Sequence, residues 1–222
     1  MTTEPSKHRD DSEKEKDSLS PYASDNVSHH GKLPWLTPEM LDEAQSALYE
    51  KITGGPRSKN SALSITDSSG RLEGPFNAML LNPVLGDAVQ QLGAAVRFHT
   101  GFTDREREIA ILTLAVAQHS AFEFYAHSRI ALKSGLSQQE INALERGQFP
   151  ATFSSEESLI MATVLQLLEE HDLDDLSQEH FVEVFSDQRL GELLTLISYY
   201  QLLALSLRVW RTPLPAPTQR LE

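Results

Sequence analysis

Apolar side chains recur along this chain at intervals of three and four, and no segment sustains the every-second-residue alternation of a half-buried strand. The pattern predicts helices throughout. Thr37-Pro38 is a helix start, because Thr accepts a backbone N–H and Pro at the first helical position loses no bond; this helix is expected to run to about Ile52, where Gly54-Gly55-Pro56 stops it. Asn82-Pro83 opens a second helix with Val84, Leu85, Val89, Leu92 and Val96 on one stripe, ending near Phe98. Four Ser/Thr-x-x-Glu boxes follow, Thr103 with Glu106, Ser120 with Glu123, Ser137 with Glu140 and Ser154 with Glu157, each offering two reciprocal caps for orphan N–H groups. They predict a break near His119-Ser120, a helix from Ala121 to Ser134 with Gly135 as its C′ residue, a short one ending at Gly147, and one with Leu159, Ala162, Thr163, Leu167 and Leu168 as its inner stripe. A short amphipathic helix spans Ser177 to Phe185. The last, about Gln188 to Trp210, is apolar around most of its circumference, which suits a central helix or a subunit contact.

The fold class read from this pattern is all-α, with about eight helices. Residues 1–31 are rich in Ser, Asp, Glu, Lys and His and are expected to form a disordered tail; His29-His30 is read as solvated rather than metal-binding. Residues 32–216 form a single domain with a long surface loop at 54–73, and 217–222 a C-terminal tail. A formal charge of −13, spread along the chain, repels phosphate backbones, so nucleic acid is not an expected partner. The chain has no cysteine, which excludes disulfides, thiolate metal sites and a thiol nucleophile. The N-terminus lacks the apolar core of a secretory signal, and no apolar run is read as approaching the roughly 20 residues of a membrane span, so a cytoplasmic location away from membranes is expected.

Candidate chemistry gathers between Thr103 and Leu136. Glu123 and His127, four apart on one helix, are placed to meet, and a carboxylate beside an imidazole favours its charged form and makes a proton carrier near neutral pH. The bland alternatives are a surface ion pair and, for Glu123, the capping box. Phe122, Phe124, Tyr125 and Ile130 surround the pair, so part of this helix is sunk in a core where an unpaired carboxylate is costly. Glu108 sits one turn into the preceding helix, either the last exposed charge or the first residue turned inward. His119 makes an i, i+4, i+8 series with Glu123 and His127, a possible metal set with His99, although the break at Ser120 interrupts it. Arg97 is a candidate partner for a substrate carboxylate, and His99 a loop residue near the pocket.

These residues give the chain a resemblance to the carboxymuconolactone decarboxylase family, within the alkylhydroperoxidase-D-like superfamily. It runs from about Gly74 to Leu214 and is carried by Gly74-Pro-Phe-Asn-Ala, Arg107-Glu108-Ile-Ala-Ile-Leu, Phe122-Glu123-Phe-Tyr-Ala-His127, Gly135-Leu136 and Tyr199-Tyr200. In the peroxidase-type members Glu is followed by Cys-x-x-Cys-x-x-x-His; laid on this chain, the Glu and His fall on Glu108 and His127 and the cysteine positions on Ser120 and Glu123, so thiol peroxidase chemistry is excluded. The decarboxylase type implies Glu108, Glu123 and His127 as a catalytic proton relay needing neither metal nor organic cofactor. Phe76, Asn77, Arg97, His99, His119 and Tyr125 are the candidate substrate-binding residues. The implied partners are a small-molecule substrate and copies of the same chain, as a trimer or hexamer. A metal-dependent oxygenase or hydrolase, or a non-catalytic binding protein, are the alternative readings on the same fold.

Overall fold

Nine α-helices and one two-residue hairpin make up the described residues, 27–55 and 64–215, of the computed structural model. The expected tails at 1–26 and 217–222 and the loop portion 56–63 lie outside them. In order come strands β1 (His29–His30) and β2 (Leu33–Pro34) and helices α1 (Glu43–Gly54), α2 (Pro75–Met79), α3 (Pro83–Phe98), α4 (Asp104–Ala117) and α5 (Ala121–Lys133). Then follow α6 (Gln138–Glu145), α7 (Ser155–Glu170), α8 (Asp175–Val184) and α9 (Asp187–Trp210).

Caps decide most of these boundaries. Thr103, Ser137 and Ser154 each form the reciprocal box with the Glu three residues on. Ser120 does not: α5 begins after it without a side-chain cap, and Glu123 is turned inward instead. The first helix is also later than expected. Pro38–Met40 is a single 3-10 turn, Leu41 is extended, and Asp42 with Gln45 forms a stronger competing box that starts α1. Helix α2 was not foreseen; Pro75 sits at its first position directly after the Gly74 bend.

The core is built around α4, whose residues Ile109 to Ala115 are all nearly inaccessible. Helices α5, α7 and α9 pack against it. Burying each of its leucines and isoleucines contributes about 1.5–3 kcal/mol. Helix α7 presents Ile160, Met161, Thr163, Val164 and Leu168 inward, which rotates the expected stripe and leaves Ala162 exposed, because the bulkier Ile, Met and Val pack on α4. The stripe expected on α3 is largely outside: Val84, Leu85 and Leu92 are 80%, 63% and 40% exposed, while Gly86, Gly93 and Val96 face in. A Cβ on Gly86 would lie 2.3 Å from the Met79 carbonyl oxygen, so α3 packs through its backbone rather than its leucines.

Helix α9 is long and apolar enough to cross a membrane by length and composition, contrary to the sequence expectation that no run reaches that length. Its inner face, including Leu193, Leu196, Tyr199 and Leu203, is packed in the core, as in a central helix. The N-terminal boundary is corrected as well. Residues 29–34 form the hairpin; Lys32 N–H donates to the Trp210 carbonyl (2.7 Å) and Trp35 Nε1–H to the Leu72 carbonyl (2.8 Å), clasping the chain start onto α9 and onto the described end of the long loop. His30 is thereby 2% exposed, packed on the Trp35 ring, and not a solvated tail residue.

Candidate functional site

The three-residue link Gln118–Ser120 sets how α4 and α5 face each other. His119 adopts a left-handed conformation (φ 51°), its N–H donates to the Val116 carbonyl and that of Ser120 to the Ala115 carbonyl, the paired bonds of a Schellman stop. This turn brings the inward faces of the two helices together. Glu108 of α4, with no exposed surface, meets His127 of α5: Glu108 Oε2 and His127 Nδ1 are 2.6 Å apart. With Glu108 ionised the imidazole donates, which fixes the ring orientation and leaves Nε2 as the atom for a ligand. Behind the pair, Arg107 binds Asp104 and holds its Nε 3.9 Å from Glu108 Oε1.

The i, i+4 pairing of Glu123 with His127 is replaced by this cross-helix bond. Glu123 is 3% exposed, and neither of its oxygens meets a hydrogen-bonding partner among the described residues. Burial pushes its carboxyl up to about 8, offset in part by the nearby Ser120 hydroxyl, which is itself outside bonding geometry. Glu123 therefore carries a proton at neutral pH. His127 is further set by the edge of the Tyr200 ring, 5.0 Å between centroids, and Tyr200 in turn by Tyr199 at 5.2 Å.

A cavity of about 110 Å³ opens on these groups. Its apolar wall comes from Phe76, Phe122, Ile130, Tyr200, Leu203 and Leu207, and its polar groups include Glu73, Arg97, Glu123 and His127. Of the expected substrate-binding residues, Phe76 and Arg97 line it. Asn77 is buried elsewhere, its amide donating to the Pro34 carbonyl at 3.0 Å. His99 is an exposed cap of α3, His119 is exposed and occupied in the helix stop, and Tyr125 lies under the Arg129 guanidinium, so these three do not line the cavity. The metal set proposed on His119, Glu123 and His127 is not assembled, and no group of three such side chains gathers among the described residues.

Sequence reasoning missed Glu73 and the contribution of α9. Glu73 stood beside the Gly74-Pro75 bend without a helical pattern to give it a direction. Gly74 (φ 60°) lets the Phe122 ring close onto the backbone, where a Cβ would lie 2.3 Å from the ring, and this contact brings the segments carrying Glu73 and Glu123 to one cavity.

Residues 83–166 match the model of the carboxymuconolactone decarboxylase family, a span that includes Glu108, Glu123 and His127. That core is similar to the carboxymuconolactone decarboxylase family. Among solved structures, the alkylhydroperoxidase AhpD core protein of Ralstonia eutropha is similar at 12% identity, covering 85% of this chain and 94% of its own, with a TM-score of 0.68. A peroxidase-related protein of Silicibacter matches at 12% identity over 86% and 95%, TM-score 0.66. The debrominase Bmp8, as a variant holding 2,3,4-tribromopyrrole, matches at 13% identity over 78% and 87%, TM-score 0.62. No curated protein matches the chain. At these identities the likeness shows the alkylhydroperoxidase-D-like helical fold alone. Within that fold this chain has no cysteine anywhere in its 222 residues, and the Ser120 hydroxyl lies near the Glu123 carboxyl.

Proposed function

We propose that this chain is an enzyme of cofactor-free acid/base chemistry, acting on a small cyclic acid or lactone by decarboxylation or isomerisation. The observation that carries the reading is the 2.6 Å bond by which Glu108, behind the wall, holds His127, which lines a largely apolar cavity together with a neutral Glu123. An imidazole oriented on one nitrogen by a buried carboxylate and open on the other is a proton-transfer group. Arg97 lines the same cavity and makes no ion pair among the described residues, so it is available to an acidic substrate. A cavity of about 110 Å³ suits a ligand of roughly one ring, since a 150 Å³ apolar cavity holds benzene.

In the decarboxylation form, the bond from a ring carbon to the substrate carboxylate breaks and its electron pair passes into the conjugated lactone carbonyl. Carbon dioxide leaves and a dienolate remains. His127, carrying a proton on each nitrogen, then gives the Nε2 proton to carbon and is reloaded from water, while Glu108 holds Nδ1 and the uncharged Glu123 avoids repelling the anion. The test is turnover on a panel of one-ring carboxylated lactones. His127→Ala is expected to lower it at least about 100-fold; full activity in that variant removes the assignment.

We also propose that the chain self-associates, with the outer faces of α3 and α9 as the contact. Val84, Leu85, Leu202 and Leu205 are 80%, 63%, 47% and 61% exposed, and an apolar groove runs between Leu85, Val89 and Leu202. Light scattering is expected to give a trimer or hexamer for the native chain and a smaller species for Leu85→Glu; a native monomer contradicts this.

A further inference from the structure

Two buried glutamates lie outside the Glu108, Glu123 and His127 set, and their surroundings differ. Glu140 is occupied by Arg105, Ser137 and Thr152. Glu73, 8% exposed, is not. Its Oε2 has no hydrogen-bonding partner among the described residues. The one base nearby, His30 Nε2, is 3.6 Å away and already accepts the Gly74 N–H at 3.2 Å. Accepting there places the His30 proton on Nδ1, and burial with the Arg71 charge keeps this imidazole neutral, its pKa lowered to about 4. The adjacent cation is also committed: Arg71 donates through Nε and Nη2 to Asp67 Oδ2, at 2.9 and 2.5 Å, and stacks 3.8 Å over Trp35. Among the described residues Oε2 thus has His30 within ion-pair range but no hydrogen bond, and the side chain lines the cavity that holds His127.

We propose that Glu73 is a hydrogen-bond donor to an oxygen of the cavity ligand, which selects one-ring compounds bearing a carbonyl conjugated to the reacting carbon. This rests on the acid/base reading of the same cavity and assigns its missing half. As His127 moves a proton at carbon, negative charge collects on the carbonyl oxygen, and a neutral acid meets that charge where an ionised carboxylate would repel it. Burial and the Asp67 charge both push the Glu73 carboxyl up, against a smaller pull from Arg71. Glu73 keeps its proton throughout, so the proton count of the reaction is unchanged. His30 acts through Glu73 as a positioning residue.

The probe is 2-cyclohexen-1-one labelled at its carbonyl carbon, bound to the full chain and read by infrared spectroscopy, since the carbonyl stretch falls when a donor bonds its oxygen. In the native protein a shift to lower wavenumber is expected on binding. Glu73→Met is expected to lose at least half of it, Glu73→Gln to show a smaller loss, and Glu140→Gln, outside the cavity, to leave it nearly intact. A purely structural role for Glu73 changes affinity but not the bound frequency. If Glu73→Met does not fold, the isosteric Glu73→Gln decides. The proposal is overturned by a native-like frequency in the variant that folds, or by failure of the probe to bind. A shift lost only in His127→Ala overturns the Glu73 role and leaves the acid/base reading standing. A Glu73-dependent shift with lactone turnover unaffected by His127→Ala supports the Glu73 role and removes the catalytic reading.

Discussion

Arg105 and Glu123 mark two regions that treat buried carboxyls in opposite ways. At the first, the guanidinium bridges Glu140 at 2.6 Å and Glu157 at 2.5 Å and also donates to the Gly135 carbonyl, joining the start of α4 to α6 and α7. Each of these acids also closes a capping box, and Arg105 above all holds Glu140 down at about 2. At the second, Glu123 has no hydrogen-bonding partner among the described residues and is held up at about 8 by burial. Where a carboxyl serves the fold, the chain completes its bonds. Where it is left incomplete in a cavity, the fold carries a cost that a ligand or water entering that cavity would offset.

Breaking each region separates the two roles. His127→Ala is expected to reduce lactone turnover per folded molecule at least about 100-fold and, by leaving the buried Glu108 carboxyl unpaired, to lower the melting temperature as well, whereas Arg105→Ala is expected to cost about 2 kcal/mol in urea unfolding and to leave turnover per folded molecule near native. Equal loss of activity in both variants erases the distinction. Leu112→Ala, in the core between them, is expected to cost about 2–5 kcal/mol through the cavity it leaves, again without a change in chemistry once folded.

The pH dependence should differ in sign. Glu123 has a folded-state value of about 8 against an ordinary 4.5, so the folded chain holds the extra proton between these and loses stability as pH rises through that window. Glu123→Gln should therefore match the native chain near pH 4.5 and exceed it at pH 8, by an amount on the order of 1–3 kcal/mol in denaturant melts. Glu140 behaves the other way: its contribution is full above 4.5 and is lost as pH falls toward 2, so Glu140→Gln should weaken the fold at pH 7 and matter little near pH 2. The smallest effect is expected at the hairpin. His30, lowered to about 4, gives stability that is full above 6.5 and fades as pH falls toward 4, and Trp35 fluorescence should report loosening over that range in the native chain but not in His30→Gln.

The helical plan was legible because caps are local. Thr103, Ser137 and Ser154 announce their helices within four residues, and the structure uses all three. The same signal misled at Ser120, where burial of Glu123 in the cavity outweighed a cap that the Schellman turn at His119 made unnecessary. Glu108 and His127 were both visible as candidates, but their bond spans two helices, and spacing along one helix pointed to the wrong partner. His30 and Glu73 were illegible for a different reason: each gets its burial from segments more than forty residues away or from the opposite terminus, through the Trp35 and Trp210 contacts. The outward apolar faces of α3 and α9 show the limit of periodicity, which finds a stripe and not what covers it.

The most direct test of a protonated acid beside an oriented imidazole is the titration of the Glu123 carboxyl itself. Carbon-13 NMR of the native chain labelled at glutamate side-chain carboxyls, with Glu123→Gln to assign the resonance, is expected to show a transition near pH 8, well above that of Glu140 near 2. A Glu123 transition at or below 4.5 contradicts the account.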